Sequence, residues 1–296
     1  MDLAHLLTEQ HRPELADLDL RGTADLVRLM AEDHALAIEA IVAEQERIAG
    51  AIDAVVDRLE HGGRLVYVGA GTAGRMGVLD AAECLPTFNT DRVVGVLAGG
   101  PAALLKSSEA VEDDDGAGAG DMEALGLSGL DAVVGVTASG RTPYTIGAVR
   151  YARGLGAVTV GIASNPDAVL SGHVDHPIEL VVGAEVIAGS TRLKAGTAQK
   201  IVLNMISTIS MVRLGKTFGN LMVDVRATNQ KLRDRAKRIV IQATGAAPET
   251  AEHTIDAAQG DVKVAIVMLL SGIDVAAAQA RLVEHHGMVR AALEES

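Results

Sequence analysis

Aromatic side chains are scarce, at 2% of 296 residues, and tryptophan is absent. A core without large rings is filled by Ala, Val, Leu and Ile, which suits helices laid on a parallel sheet. Cysteine occurs once, at Cys84. That excludes an internal disulfide and fits a reducing compartment. Basic charge is short as well: 26 Lys and Arg stand against 39 Asp and Glu, a net charge of −13. Nucleic-acid binders carry a basic face, so that class is disfavoured. Long apolar runs are missing. The stretch Val262 to Leu270 is too short to span a bilayer and contains Lys263. The opening residues MDLAHLLTEQHRPE carry charges and no long apolar core, unlike a signal peptide. A soluble cytoplasmic protein with neither a membrane nor a nucleic-acid partner is expected. Zinc hydrolysis and nucleotide phosphoryl transfer lack their usual marks, since no HExxH, paired CxxC or GxxxxGK(S/T) occurs.

What the chain does have is glycine, 32 residues of it, and a regular alternation of strand and helix signals. Length allows one large or two small domains. The stretch Arg64 to Glu83, RLVYVGAGTAGRMGVLDAAE, is the centre of the pattern. Leu65 to Val68 reads as a buried strand, Gly69 to Gly74 as a tight turn, and the residues after it as a helix. A turn between strand and helix leaves backbone N–H groups free to meet an anion. The glycines also match GxGxxG, the dinucleotide fingerprint, which calls for an acidic residue roughly 20 positions on at the end of the second strand. Here that strand, Val93 to Leu97, runs into Ala98-Gly99-Gly100, so a ribose has no acid to hold it.

Before this unit lie an irregular arm, Met1 to Gly22, and a long helical stretch, Thr23 to Glu60, broken once. Ile48, Ile52, Val55, Val56 and Leu59 form its apolar stripe. After it come strands at Ala132–Val136, Ala157–Ala163 and His176–Val182. Helices are expected at Pro101–Ser108, Pro143–Arg153 and Thr197–Leu214, with the glycine-rich Glu109–Gly120 interrupting the order. Such alternation predicts an α/β fold, a doubly wound parallel sheet flanked by helices. Beyond Gly219 the strand signal stops. A basic helix, Asn229–Thr244, and three short helices follow, near Pro248–Gln259, Asp261–Leu270 and Val275–His285, as a small helical bundle.

Ligands of such sheets sit beyond the carboxyl ends of the strands. Four turns fall there: Gly69–Gly74, Thr137–Thr142, Ser164-Asn165 and Ser190–Thr197. Their hydroxyls, helix N-termini and cations suit a phosphomonoester, although Ser and Thr also serve as ordinary helix caps. Glu83 lies among apolar residues at the end of the first helix, where Leu85-Pro86 is expected to stop it. Partial desolvation there would raise its pKa toward that of a general acid; a solvated helix-end carboxylate is the plainer alternative. Glu112 opens the run Glu112–Asp115, whose other members read as a solvated acidic loop or, less well, a divalent metal site. His285-His286 and Cys84 read as surface and core residues.

The motifs GAGTAGRMGVLDAAE, AGG at Ala98–Gly100, EAVEDD at Glu109–Asp114, ASGRTPY at Ala138–Tyr144, STRLKAGTAQKIVLNMIST at Ser190–Thr208 and GNLMVDV at Gly219–Val225 closely resemble the N-acetylmuramic acid 6-phosphate etherase family. The central region resembles the sugar isomerase (SIS) phosphosugar-binding fold, and the tail a ubiquitin-associated-like helical bundle. The resemblance implies an arm and helices over 1–60, a phosphosugar-binding domain over 61–225 and a helical domain over 226–296. It implies catalytic roles for Glu83 and Glu112. Substrate and phosphate contacts would come from Gly71, Thr72, Ser139, Gly140, Arg141, Thr142 and Lys194. It also implies a homodimer acting on a small phosphosugar with no metal and no organic cofactor. The chain departs from the family at Ala73, where a serine is usual, and around Leu85 and Asn89. An aldose–ketose phosphosugar isomerase or a non-catalytic sugar-phosphate sensor on the same fold are the competing expectations.

Overall fold

Leu65–Gly69 forms β1, every residue of it buried, and a five-stranded sheet is assembled on both of its sides. The computed structural model describes residues 6–106, 111–225 and 230–294. Strands β2 (Val93–Leu97), β3 (Ala132–Val136), β4 (Val158–Ala163) and β5 (His176–Glu179) run parallel to β1 in the order β2-β1-β3-β4-β5. The reversal of order at β1 places the first and third strand-to-helix turns side by side at one edge of the sheet. Register is set with Leu65 opposite both Val93 and Ala132. Helices α1 (Thr23–Ala43) and α2 (Gln45–Glu60) break at Glu44, and the expected stripe of α2 is buried. Then come α3 (Gly71–Phe88), α4 (Asp115–Ala124), α5 (Pro143–Gly154) and α6 (Lys194–Arg213). This is the expected fold class.

Three local expectations need correction. Pro86 does not end α3; the helix runs two residues further and closes at Asn89, whose φ is 50°. The expected helix at Pro101–Ser108 is a single tight turn, Pro101–Leu104, with 107–108 outside the described residues. The glycine-rich segment, read as an interruption, holds the first part of α4. Intrinsic propensity disfavours a helix there, but two things stabilise it. Asp114 caps its N-terminus by accepting from the Ala117 amide. Its glycines let backbones touch: a Cβ on Gly118 would lie 1.9 Å from the Tyr144 carbonyl, and one on Gly147 would lie 2.0 Å from that of Asp115.

The described residues of 1–82 and 92–207 form one compact unit, and those of 83–91 and 208–296 form a second. The second unit carries a small hairpin, β6 (Thr217–Phe218) and β7 (Leu221–Met222), and helices α7 (Gln230–Thr244), α8 (Pro248–Ala257), α9 (Val262–Ser271), α10 (Val275–Glu284) and α11 (Val289–Leu293). α11 goes beyond the expected number. Asp261 and Asp274 cap α9 and α10. Val240, Ala265, Ile266 and Ala292 lie in the buried core of this unit. Among the described residues no single helix is long and apolar enough to cross a membrane.

Candidate functional site

Two turns build a pocket of about 210 Å³ in the first unit. After β1 the chain passes Ala70 and enters α3 at Gly71, whose φ is 54°. Gly71, Thr72 and Ala73 form one wall. After β3 come Thr137, Ala138 and Ser139, then Gly140 with φ 74°, and Thr142 leads into α5 with Pro143 at its first position. Thr137, Ser139 and Thr142 form the facing wall. Their hydroxyls are linked: Thr137 Oγ1 lies 2.7 Å from Thr142 Oγ1 and 3.3 Å from Ser139 Oγ. Ser139 Oγ also accepts from the Arg141 amide at 3.2 Å. Hydroxyls clustered at a helix N-terminus are suited to receive phosphate oxygens.

Glu112 enters the same pocket. Its carbonyl accepts from the Tyr144 amide at 3.1 Å, which ties its loop to the start of α5. Thr142 Oγ1 donates to its carboxylate at 3.4 Å. The motif it belongs to is only partly described, since 109 and 110 lie outside the described residues. Tyr144 itself is buried and bonded to Asp121, and both effects push its phenol pKa up. It is a structural pillar beneath the site rather than an acid within it.

The other expected residues are placed differently. Arg141 lines a neighbouring pocket of about 240 Å³ with Leu6, Asn165 and Asp167, and not the pocket of Thr72 and Glu112. Gly140 shapes the turn through its φ and accepts from the Leu170 amide. Lys194, expected as a cation for the phosphate, is 1% exposed, and its Nζ pairs with Asp33 at 3.1 Å. The N-terminus of α6 is already satisfied by a carboxylate, because Glu185 accepts from the amides of Lys194 and Ala195. Burial is the chief influence on Glu185 and raises its pKa. Asn165 is likewise committed, to Thr8 and to the Ala138 carbonyl. Of the four turns, then, two furnish the main walls and the last adds Thr191.

Glu83 does not line this pocket; it is an exposed residue of α3 within the second unit. The desolvation expected of it is not present in the single chain. Cys84 beside it is buried, while Leu85 is 56% exposed. Among the described residues no group of three His, Cys, Asp or Glu side chains is arranged to hold a metal ion. His285 and His286 follow α10.

Relatives match the chain over nearly its full length. An N-acetylmuramic acid 6-phosphate etherase of Rubrobacter xylanophilus is 62% identical over 99% of this chain and 97% of its own. Those of Streptomyces avermitilis and Salmonella typhi are 58% and 51% identical, each over 99% of this chain and over 94% and 100% of their own. The chain belongs to the N-acetylmuramic acid 6-phosphate etherase family. Residues 47–153 also match the model of the glucokinase regulatory protein N-terminal SIS domain. In fold, the etherase-family chain resembles a phosphoheptose isomerase from Francisella tularensis, with TM-score 0.50 and 23% identity over 65% of this chain and all of that one.

The pocket holds residues that were not singled out in the sequence. Glu9 comes from the N-terminal arm, and Gln199 from the second turn of α6. Gln199 is 1% exposed, and its Nε2 has no hydrogen-bond partner among the described residues. A buried donor of this kind costs stability unless a ligand completes it. Thr137 stood in a quoted turn without a role of its own.

Proposed function

We propose that this chain cleaves the D-lactyl ether of N-acetylmuramic acid 6-phosphate, releasing N-acetylglucosamine 6-phosphate and D-lactate. The observation that carries the proposal is the convergence of Glu112 with the hydroxyls of Thr72, Ser139 and Thr142 on one pocket. In the proposed reaction the main-chain amides and hydroxyls of the two turns hold the phosphate, which fixes the reacting carbons. The opened sugar carries an aldehyde at C1, which acidifies the hydrogen at C2. The Glu112 carboxylate removes that proton as the C3–O bond breaks, and protonated Glu83 gives its proton to the departing lactate oxygen. Water then adds at C3, returning a proton to Glu83, while Glu112 returns its proton to C2. Two carboxyls in unlike settings supply the two roles.

Homodimerisation in the cytoplasm belongs to the same proposal. Glu83 is exposed in the single chain, and an acid that donates to an ether oxygen works best where water is excluded. A second copy covering Glu83 supplies that setting, and Glu83 must reach the C3 oxygen in the assembled enzyme. We assign phosphosugar binding to 61–225, with the arm and first helices over 1–60 and a helical domain over 226–296.

The test is turnover in heavy-oxygen water. Label at C3 of the sugar product, with unlabelled D-lactate, is expected, and Glu83→Gln is expected to lose lactate release while keeping its fold. Label in lactate, a ketose product, or full activity in Glu83→Gln would each overturn the proposed route.

A further inference from the structure

We infer that Glu9 is a substrate-binding carboxylate of this pocket, delivered by the N-terminal arm to accept hydrogen bonds from the sugar's hydroxyl or acetamido hydrogens. The inference rests on the phosphosugar reading of the site and names the residue that recognises the sugar rather than its phosphate.

The arm is fastened on both sides of Glu9. On one side Thr8 is fully buried. Its amide donates to Asn165 Oδ1 at 3.3 Å, and Asn165 Nδ2 donates back to Thr8 Oγ1 at 3.0 Å. The same Nδ2 donates to the Ala138 carbonyl at 3.0 Å, so one amide joins the arm to the turn that carries Ser139 and Thr142. The Gly189 amide closes on the Thr8 carbonyl at 3.2 Å. On the other side Arg12 donates to Asp33 at 2.5 Å, and Asp33 is the buried partner of Lys194. A chain end of tight turns pays ordering entropy for such fixation. What the fixation achieves is a set position for residue 9, the arm residue on the pocket wall.

The charges on the wall say which part of a ligand Glu9 can serve. Among the described residues the lining includes no Lys or Arg, and it includes two carboxylates, Glu9 and Glu112. A phosphate meets neutral hydroxyls and amides there, and Glu9 can only oppose its charge. A carboxylate accepts and does not donate. Its favourable partners are therefore O–H and N–H groups, which a sugar has in number and inorganic phosphate at neutral pH has little of. Gln199 lines the same pocket and carries a buried Nε2 with no hydrogen-bond partner among the described residues.

The experiment is calorimetric titration of the full-length protein and of Glu9→Ala and Glu9→Gln with two probes, N-acetylglucosamine 6-phosphate and inorganic phosphate. Glu9→Ala is expected to weaken the phosphosugar about tenfold or more, the scale of a hydrogen bond to a charged group. Glu9→Gln should fall between it and the parent, because its amide oxygen still accepts. Inorganic phosphate should bind both variants as well as, or better than, the parent. Unchanged phosphosugar affinity would overturn the inference, and so would parallel weakening of both probes, which marks the arm as a mere shaper of the pocket. Failure of the parent protein to bind the phosphosugar would overturn the reading of the site itself, whereas parent binding that ignores residue 9 overturns only the role given to Glu9.

Discussion

Strands β1 and β3 carry polar residues at both of their ends, and the two ends use them in opposite ways. Before β3, Asp131 accepts from the Arg64 amide at 2.8 Å, from Arg64 Nε and Nη2 at 3.1 and 2.9 Å, and from the Ser128 amide at 2.8 Å. Burial would raise the Asp131 pKa, but these donors outweigh it and lower the value overall. Every partner there is internal. After β3, the hydroxyls of Thr137, Ser139 and Thr142 are bonded to one another and still line a pocket. A hydroxyl both donates and accepts, so a mutual cluster retains capacity for a ligand. The difference separates a clamp from a receptor on the same two strands, and it can be broken from either end.

The largest effect should come from the clamp. Asp131→Ala leaves Arg64 and two amides without their acceptor, a loss of about 3 kcal/mol by analogy with broken buried ion pairs. For a chain of this size the thermal midpoint should drop on the order of 10 °C. Phosphosugar affinity per folded molecule should not change. A variant that keeps its midpoint but binds poorly would erase the distinction between the two ends.

Thr142→Val tests the receptor. The side-chain shape is nearly kept, while the hydroxyl that bridges Thr137 and Glu112 is lost. Phosphosugar binding should weaken about tenfold or more, with little movement of the thermal midpoint. Calorimetry and thermal melting on the same preparation separate the two outcomes, and a large stability loss without a binding change would place Thr142 with the clamp.

Acid titration sharpens the clamp further. The folded Asp131 pKa lies below its ordinary value of 3.8. Its stabilisation is therefore fully present above that value and is lost as pH falls through the lower, folded one. Asp131→Asn removes this contribution, so the stability gap between parent and variant should be widest near neutral pH and should narrow below about pH 4. Denaturant melts between pH 3 and 7 read the gap directly; a gap independent of pH would assign the clamp to packing rather than charge.

Much of this division was visible in the sequence because it is local. Each strand of the sheet, the stripe of α2 and the turn after β1 follow from runs of neighbouring residues. The GxGxxG spacing without an acid after β2 also has a local cause: a Cβ on Gly74 would lie 2.3 Å from the Gly69 carbonyl, so close turn packing alone demands glycine. What the sequence did not make legible is of another kind. Lys194 carries a charge at the right turn, but its direction is set by Asp33, 161 positions away. Glu9 lies in the arm and Gln199 inside the 190–208 motif with no role read for either, and only the folded arm and α6 bring them to the pocket. α4 was hidden because its glycines lower propensity while permitting the close approach to α5 that stabilises it. Pro86 read as a stop because it removes the donor to the carbonyl four residues back; α3 nevertheless runs on to Phe88.

The smallest expected change is the one that adds to the receptor. Ala73 lies on the wall formed by the β1 turn and is 6% exposed. The family resemblance implies serine there, and the wall it shares with Thr72 is poorer in hydroxyls than the facing wall. Ala73→Ser adds one oxygen of small volume, so overpacking is slight. A hydroxyl that reaches the ligand should tighten phosphosugar binding about threefold to tenfold. Inorganic phosphate should tighten by the same factor, since a phosphate contact does not depend on the sugar. Tightening confined to the phosphosugar would move residue 73 from the phosphate to the sugar side of the pocket. Weakening of both would show that the alanine is there to leave room, and that the β1 turn serves through its backbone alone.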